Sequence, residues 1–138
     1  MTKKEVRRIS LEKLCIGAQA VCYDIGAGTG SVAVEMGMEI RKRGGSGQVY
    51  AIERNREALQ LIESNCQKFH GSWMGFHIVE GEAPEAMKGL EPPTHAFIGG
   101  SGGHMREIVA PLLDANPQVR MVANAITQDT GGEIMAGM

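Results

Sequence analysis

This chain has little net charge. Its 14 Lys and Arg stand against 16 Asp and Glu, a formal net charge of -2 in 138 residues. The basic footprint of a general nucleic-acid binder is missing, and no nucleic-acid partner is expected. Cysteine is sparse as well. Cys15, Cys22 and Cys66 form no CxxC pair and have no His partner at metal-ligand spacing. No metal site is expected, and the set reads as reduced thiols of a cytosolic protein. No apolar run approaches membrane length, and the opening "MTKKEVRR" is not followed by the apolar block of a signal peptide. The expectation is a soluble, cytoplasmic protein with no membrane partner.

Aromatic residues are also few, at one Trp, two Tyr and three Phe, whereas glycine is abundant at 19. The glycines cluster at 26–30, 44–47, 99–103 and 131–132. That is punctuation between elements, and it argues against a disordered or collagenous chain. The length suits one domain, residues 1–138, able to bury a core of its own.

Along the chain, residues 2–14 carry Val6, Ile9 and Leu14 at roughly helical spacing, which reads as a short amphipathic helix broken near Ser10. Residues 20–25 form a buried strand. Residues 30–43 form a helix with Val32, Val34, Met36 and Ile40 apolar, stopped by Arg41, Lys42 and Arg43 before "GGSG". Strand two is 48–53. The helix 55–69 follows, with Asn55 as N-cap and Leu59, Ile62, Cys66 and Phe69 on one face. Strands at 75–81, 94–100 and 119–126 follow. Between them lie a short helical turn near 83–90 and a helix 105–115 with Pro111 as a kink. Strand and helix alternate, so the expected class is α/β with a mostly parallel, doubly wound sheet and right-handed crossovers. The nine methionines read as core filling.

The stretch "YDIGAGTGS" places Gly26, Gly28 and Gly30 directly after strand one. In a parallel sheet ligands bind beyond the carboxyl ends of the strands, where strand order reverses. A glycine loop leading into a helix N-terminus there favours an anion. Dinucleotides place a pyrophosphate on GxGxxG. S-adenosylmethionine places its amino-acid end on an acid followed by GxGxG. Here Ser31 holds the position of the third dinucleotide glycine, and Asp24 puts a negative charge where an ammonium group is welcome and a pyrophosphate is not. Glu53 closes strand two as an acceptor for ribose hydroxyls. The pattern favours S-adenosylmethionine over NAD as the cofactor. Taken alone, Asp24 could cap a turn and Glu53 could sit beside a helix N-cap. The tripeptide "GEA" at 81–83 would supply an adenine wall, with Ala83 offering a backbone N–H and little bulk.

Taken in order, "TKKEVRRISLEKL", "YDIGAGTGSVAVE", "VYAIERNREALQLIESN", "VEGEAPEAM", "AFIGGSGG" and "NAIT" resemble the CbiT-type precorrin methyltransferases and decarboxylases of cobalamin (vitamin B12) biosynthesis. That domain also occurs as the C-terminal half of a larger two-domain enzyme. The resemblance implies a class I S-adenosylmethionine-dependent methyltransferase fold. It also implies methylation of the tetrapyrrole at carbon 15 with decarboxylation of the ring C acetate. The substrate would be a precorrin or a cobalt-precorrin, and the assembly a homo-oligomer, a tetramer among the possibilities. Carried over by motif, the cofactor contacts are Thr2, Gly26, Ala27, Gly28, Thr29, Gly30, Glu53 and Ala83, with Thr2 closing a lid. The family continues through two strands beyond the fifth, so the sheet is expected to be short there. Either the natural protein is longer or another copy covers that edge. The segment "RKRGGSG" is insertion-like and expected to be a surface loop.

Gly99, Gly100, Ser101, Gly102 and Gly103 follow strand four, where small residues would let a broad, flat ring approach. They are the substrate-side candidates. His104 is a candidate acid and equally a helix-start residue. Asn124 ends strand five, as a crevice amide or a helix cap. Lys3, Lys4, Arg7 and Arg8 could steer a polycarboxylate, although such runs are usually solvated helix faces.

Overall fold

The computed structural model describes residues 4–100 and 103–123. Five strands run in the order β3-β2-β1-β4-β5: β1 Val21–Ile25, β2 Gln48–Glu53, β3 Phe76–Glu80, β4 His95–Ile98 and β5 Arg120–Ala123. All four pairings are parallel. The chain winds outward from β1 through β2 to β3, then crosses back to lay β4 on the other side of β1. The reversal falls between β1 and β4, and it opens a crevice beyond their carboxyl ends.

Helices α1 (Lys4–Leu14), α2 (Ser31–Lys42) and α3 (Arg56–His70) cover one face of the sheet, and α4 (Met105–Ala115) covers the other with a single 3-10 turn at Glu85–Met87. Strand alternation sorts the two cores. Cys22 of β1 packs beneath α2 with Ala33, Met36 and Ile40, while Tyr23 and Ile25 face Ile108 and Leu112 of α4. Burying a side chain such as Ile40, which is fully enclosed, contributes about 1.5–3 kcal/mol. Pro111 lies inside α4 as expected, and Asn55 caps α3 by accepting the Ala58 N–H at 3.0 Å. Cys15, Cys22 and Cys66 are free thiols, and burial first, then the charge of Asp24, pushes the Cys22 thiol up to about 12.

Four expectations change. Helix α1 runs unbroken through Ser10, whose side chain is buried instead of ending the helix. On α3 the inward stripe runs from buried Ile62 through half-buried Cys66 to buried His70, and Phe69 is left half exposed. His70 Nε2–H donates to the Val34 carbonyl (2.9 Å) and its Nδ1 accepts from Arg41 (3.1 Å), which locks the ring against α2. The expected surface loop 41–47 is mostly exposed but only partly a loop, since Arg41 and Lys42 end α2 and the loop's far end is tied down. The N–H groups of Gly47 and Gln48 donate to Ala18 O (3.0 Å) and Ala20 O (2.8 Å), which brings it against the entry to β1. Finally, only some methionines fill the core: Met36 and Met87 are buried, whereas Met38 and Met74 are exposed. The expected strand five reaches residue 126, of which residues past Ala123 lie outside the described part.

Candidate functional site

The loop at 26–30 leaves β1 and enters α2. The Gly26 and Ala27 N–H groups both donate to Ile52 O, at 2.9 and 3.0 Å, so the end of β2 anchors the start of the loop. Glu53 anchors its middle. The Glu53 carboxylate accepts the Gly28 N–H at 2.8 Å on one oxygen, and the Arg54 and Asn55 N–H groups at 3.1 and 2.9 Å on the other. From behind, Asn65 of α3 donates its amide to Thr29 O at 2.8 Å. Gly30 N–H returns to Ala27 O at 2.9 Å.

Gly26 also shows why no side chain is present. A Cβ there would lie 2.7–2.9 Å from the backbone of Gly100, at a φ of +71°. The two loops that follow β1 and β4 therefore meet backbone to backbone at the floor of the crevice.

Asp24 sits on the α2 side of β1, 1% exposed, and is not among the residues that line the cleft. Helix α2 has only Gly30 at its N-cap and no side-chain cap. Asp24 supplies the missing acceptor by taking the Ala33 N–H, while its Oδ2 has no partner. Burial raises its pKa from 3.8 to about 7; the Ala33 bond opposes this and the nearby Glu53 charge adds to it. Ionising an acid buried beneath the glycine loop is therefore costly.

A cleft of about 200 Å³ opens beyond the strand ends, lined by Gly26, Glu53, Arg54, Glu82, Ala83 and Gly100 among others. Arg54 Nη1 reaches Glu82 Oε1 at 3.3 Å across its mouth. The expected ribose acid, adenine wall and substrate-side glycine thus share one cavity. Gly99 is held by the Ile25 carbonyl at 2.8 Å. His104 is exposed at the residue before α4, and its side chain caps nothing. Arg7 pairs with Glu35, and Arg8 with Glu12 at 3.0 Å, so both cations already have acidic partners. Thr2, Lys3, Ser101, Gly102 and Asn124 lie outside the described residues. No cluster of His, Cys, Asp and Glu among the described residues could hold a metal ion.

Two participants were not evident from sequence. Asn65 follows Ile62 by one helical turn and so shares its inward face, yet an Asn inside a helix carries no motif of its own. Arg54 was hidden by its neighbour Glu53.

Parallel order with a reversal beside β1, a glycine loop and an acid closing β2 define a class I methyltransferase-type fold. Within that class, the chain belongs to the precorrin methyltransferase domain family, whose model matches residues 1–137. It is 36% identical over 135 residues to the probable cobalt-precorrin-6B C(15)-methyltransferase (decarboxylating) of Methanothermobacter thermautotrophicus, covering 97% of this chain and 67% of that one. It is 38% identical over 130 residues to the cobalt-precorrin-6B C(15)-methyltransferase (decarboxylating) of Salmonella typhimurium, covering 94% of this chain and 64% of that one. The crystal structure of precorrin 8W decarboxylase from Methanobacterium thermoautotrophicum superposes with a TM-score of 0.84 at 36% identity, covering 99% of this chain and 70% of that chain. The chain spans about two thirds of the length of these relatives.

Proposed function

We propose that this chain is the cofactor-binding core of an S-adenosylmethionine-dependent enzyme that methylates a precorrin or cobalt-precorrin at carbon 15 and decarboxylates its ring C acetate. The observation that carries this reading is the convergence of Glu53, the glycine loop and Ala83 on one cleft, in a chain of this family. Bound S-adenosylmethionine supplies a methyl group already activated by its sulfonium.

The residues present fit that cofactor. Glu53 spends one carboxylate oxygen on two N–H groups and the other on one. Two carboxylate oxygens offer about four acceptor sites, so room remains for a ribose hydroxyl. Gly26, Ala27, Gly28, Thr29 and Gly30 would seat the amino-acid end at the α2 N-terminus, whose positive end favours its carboxylate. Asp24, with an unpaired buried oxygen below that loop, would balance the ammonium through the loop or water. Ala83 would close over the adenine. Gly99 and Gly100, with Ser101 and Gly102, would admit a flat ring, and Thr2 would close over the cofactor as a lid. His104 is the candidate for delivering a proton, and Asn124 would offer a hydrogen-bonding amide to the crevice. Positioning of this kind is worth about 7–11 kcal/mol of a bimolecular barrier. For the decarboxylation the macrocycle itself accepts the electron pair, and the protein orients the acetate and excludes water.

We further propose that residues 1–138 form a single domain working in the cytoplasm as a homo-oligomer, a tetramer being one form. The absence of a membrane-length apolar helix among the described residues supports an assignment away from the bilayer. The net charge of -2 disfavours RNA as substrate. A second reading is a domain that binds the cofactor without acting on a tetrapyrrole. Incubation with S-adenosylmethionine and precorrin-6B, or its cobalt form, separates the two. Product that has gained a methyl and lost carbon dioxide by mass supports the enzyme reading. Cofactor binding without turnover supports the second.

A further inference from the structure

We propose that Asn65 is a positioning residue for the cofactor, holding the glycine loop from α3 in the arrangement that receives the amino-acid end. The inference rests on the reading that this loop seats S-adenosylmethionine. The Thr29–Gly30 peptide is gripped at both ends: its carbonyl accepts from Asn65 Nδ2 at 2.8 Å, and its N–H donates to Ala27 O at 2.9 Å. Without the Asn65 bond this peptide gains freedom to turn, because Gly30, with a φ of +80°, has no Cβ to bar alternative backbone angles. A turned peptide would aim a carbonyl oxygen toward the α2 N-terminus, where the ligand's carboxylate needs N–H groups.

Helix α3 is already in contact with the loop, since a Cβ on Gly30 would lie 3.0 Å from Ile62 Cγ1. Ile62 presses without direction, and Asn65, one turn further on, fixes the peptide's orientation. Asn is a poor choice for a helix interior on propensity. Asn65 borders a groove whose lining mixes Val34, Met38, Leu61 and Phe69 with the polar Arg7, Thr29, Ser31 and Glu35. On propensity alone a Leu would suit the helix better. The residue present is the one that can donate to Thr29.

That contrast supplies the test. Asn65→Leu removes the donor while improving helix propensity. Asn65→Asp keeps the size and replaces the donor with an acceptor facing Thr29 O. S-adenosylmethionine and S-adenosylhomocysteine binding would be titrated calorimetrically for the full chain and both variants, beside their melting temperatures. The expected result is a three- to tenfold weaker affinity, about one hydrogen bond, in both variants, with Asn65→Leu melting no lower than the parent. Unchanged affinity in Asn65→Leu would overturn the inference, as would a loss that simply follows the melting temperature across the series. If the parent chain binds neither compound, the cofactor assignment fails separately. Amide exchange at Gly30 in the empty protein then decides: faster exchange in Asn65→Leu supports the grip on the loop, and equal exchange refutes it.

Discussion

The Glu53 carboxylate accepts the Gly28 N–H at 2.8 Å, tying the end of β2 to the middle of the glycine loop. One side chain thus closes a strand, holds the N–H groups of Arg54 and Asn55 and fixes the loop. Glu53→Gln replaces one acceptor oxygen by an amide that cannot accept, and at least one of these N–H groups loses its partner. Hydrogen bonds to charged groups contribute about 1.5–3 kcal/mol, and this site is only partly shielded. A loss of about 1 kcal/mol in urea unfolding is expected, with faster amide exchange at Gly28. Unchanged exchange would show that the loop holds itself.

Gly26 and Gly28 should respond differently to alanine. A Cβ on Gly26 would overlap the Gly100 backbone at 2.7 Å, whereas one on Gly28 meets nothing within 4 Å; both have positive φ. Gly28→Ala carries only the left-handed backbone cost, about 1–2 kcal/mol. Gly26→Ala must in addition force two loops apart, for a further 1–3 kcal/mol or so. Denaturant melts of the pair check this, and equal losses would contradict the close approach.

Asp24 makes stability depend on pH. The unfolded chain releases this proton near pH 3.8 and the folded protein near 7. Its contribution is therefore fully present below about pH 4 and is lost as pH rises through 7. Asp24→Asn removes that loss. The variant should gain on the parent by roughly 2 kcal/mol between about pH 5 and about pH 8. His70 works in the opposite sense: burial foremost lowers its pKa, so its contribution falls away below about 6.5. Because His70 is common to both proteins, the difference between their urea melts isolates Asp24. Parallel profiles would contradict its burial as an acid.

Much of this was legible from residue type alone. Gly26, Gly28 and Gly30 mark backbone geometry that few other residues tolerate, and Glu53 ends a strand whose alternation is plain. The strand order, with its reversal between β1 and β4, was not read from the sequence, because alternating elements fix the class but not which strands are neighbours. Asp24 was read as a ligand contact because sequence shows its neighbours in the loop and not the helix above it. Strand alternation turns it toward α2, where an uncapped N-terminus takes its oxygen. Phe69 and His70 exchanged places because one step on a helix swings a side chain by about 100°. The nearness of Val34 O and Arg41 decided which of them was buried. Asn65 could not be read at all, since its partner Thr29 is distant in the chain.

The most direct measurement is calorimetric titration of this chain, and of Glu53→Ala, with S-adenosylmethionine and with NAD. Saturable one-site binding of S-adenosylmethionine alone, weakened at least tenfold in the variant, is the predicted result. Binding of NAD in its place, or an affinity indifferent to Glu53, would contradict the assignment of the glycine loop and its acid as a methyl-donor site.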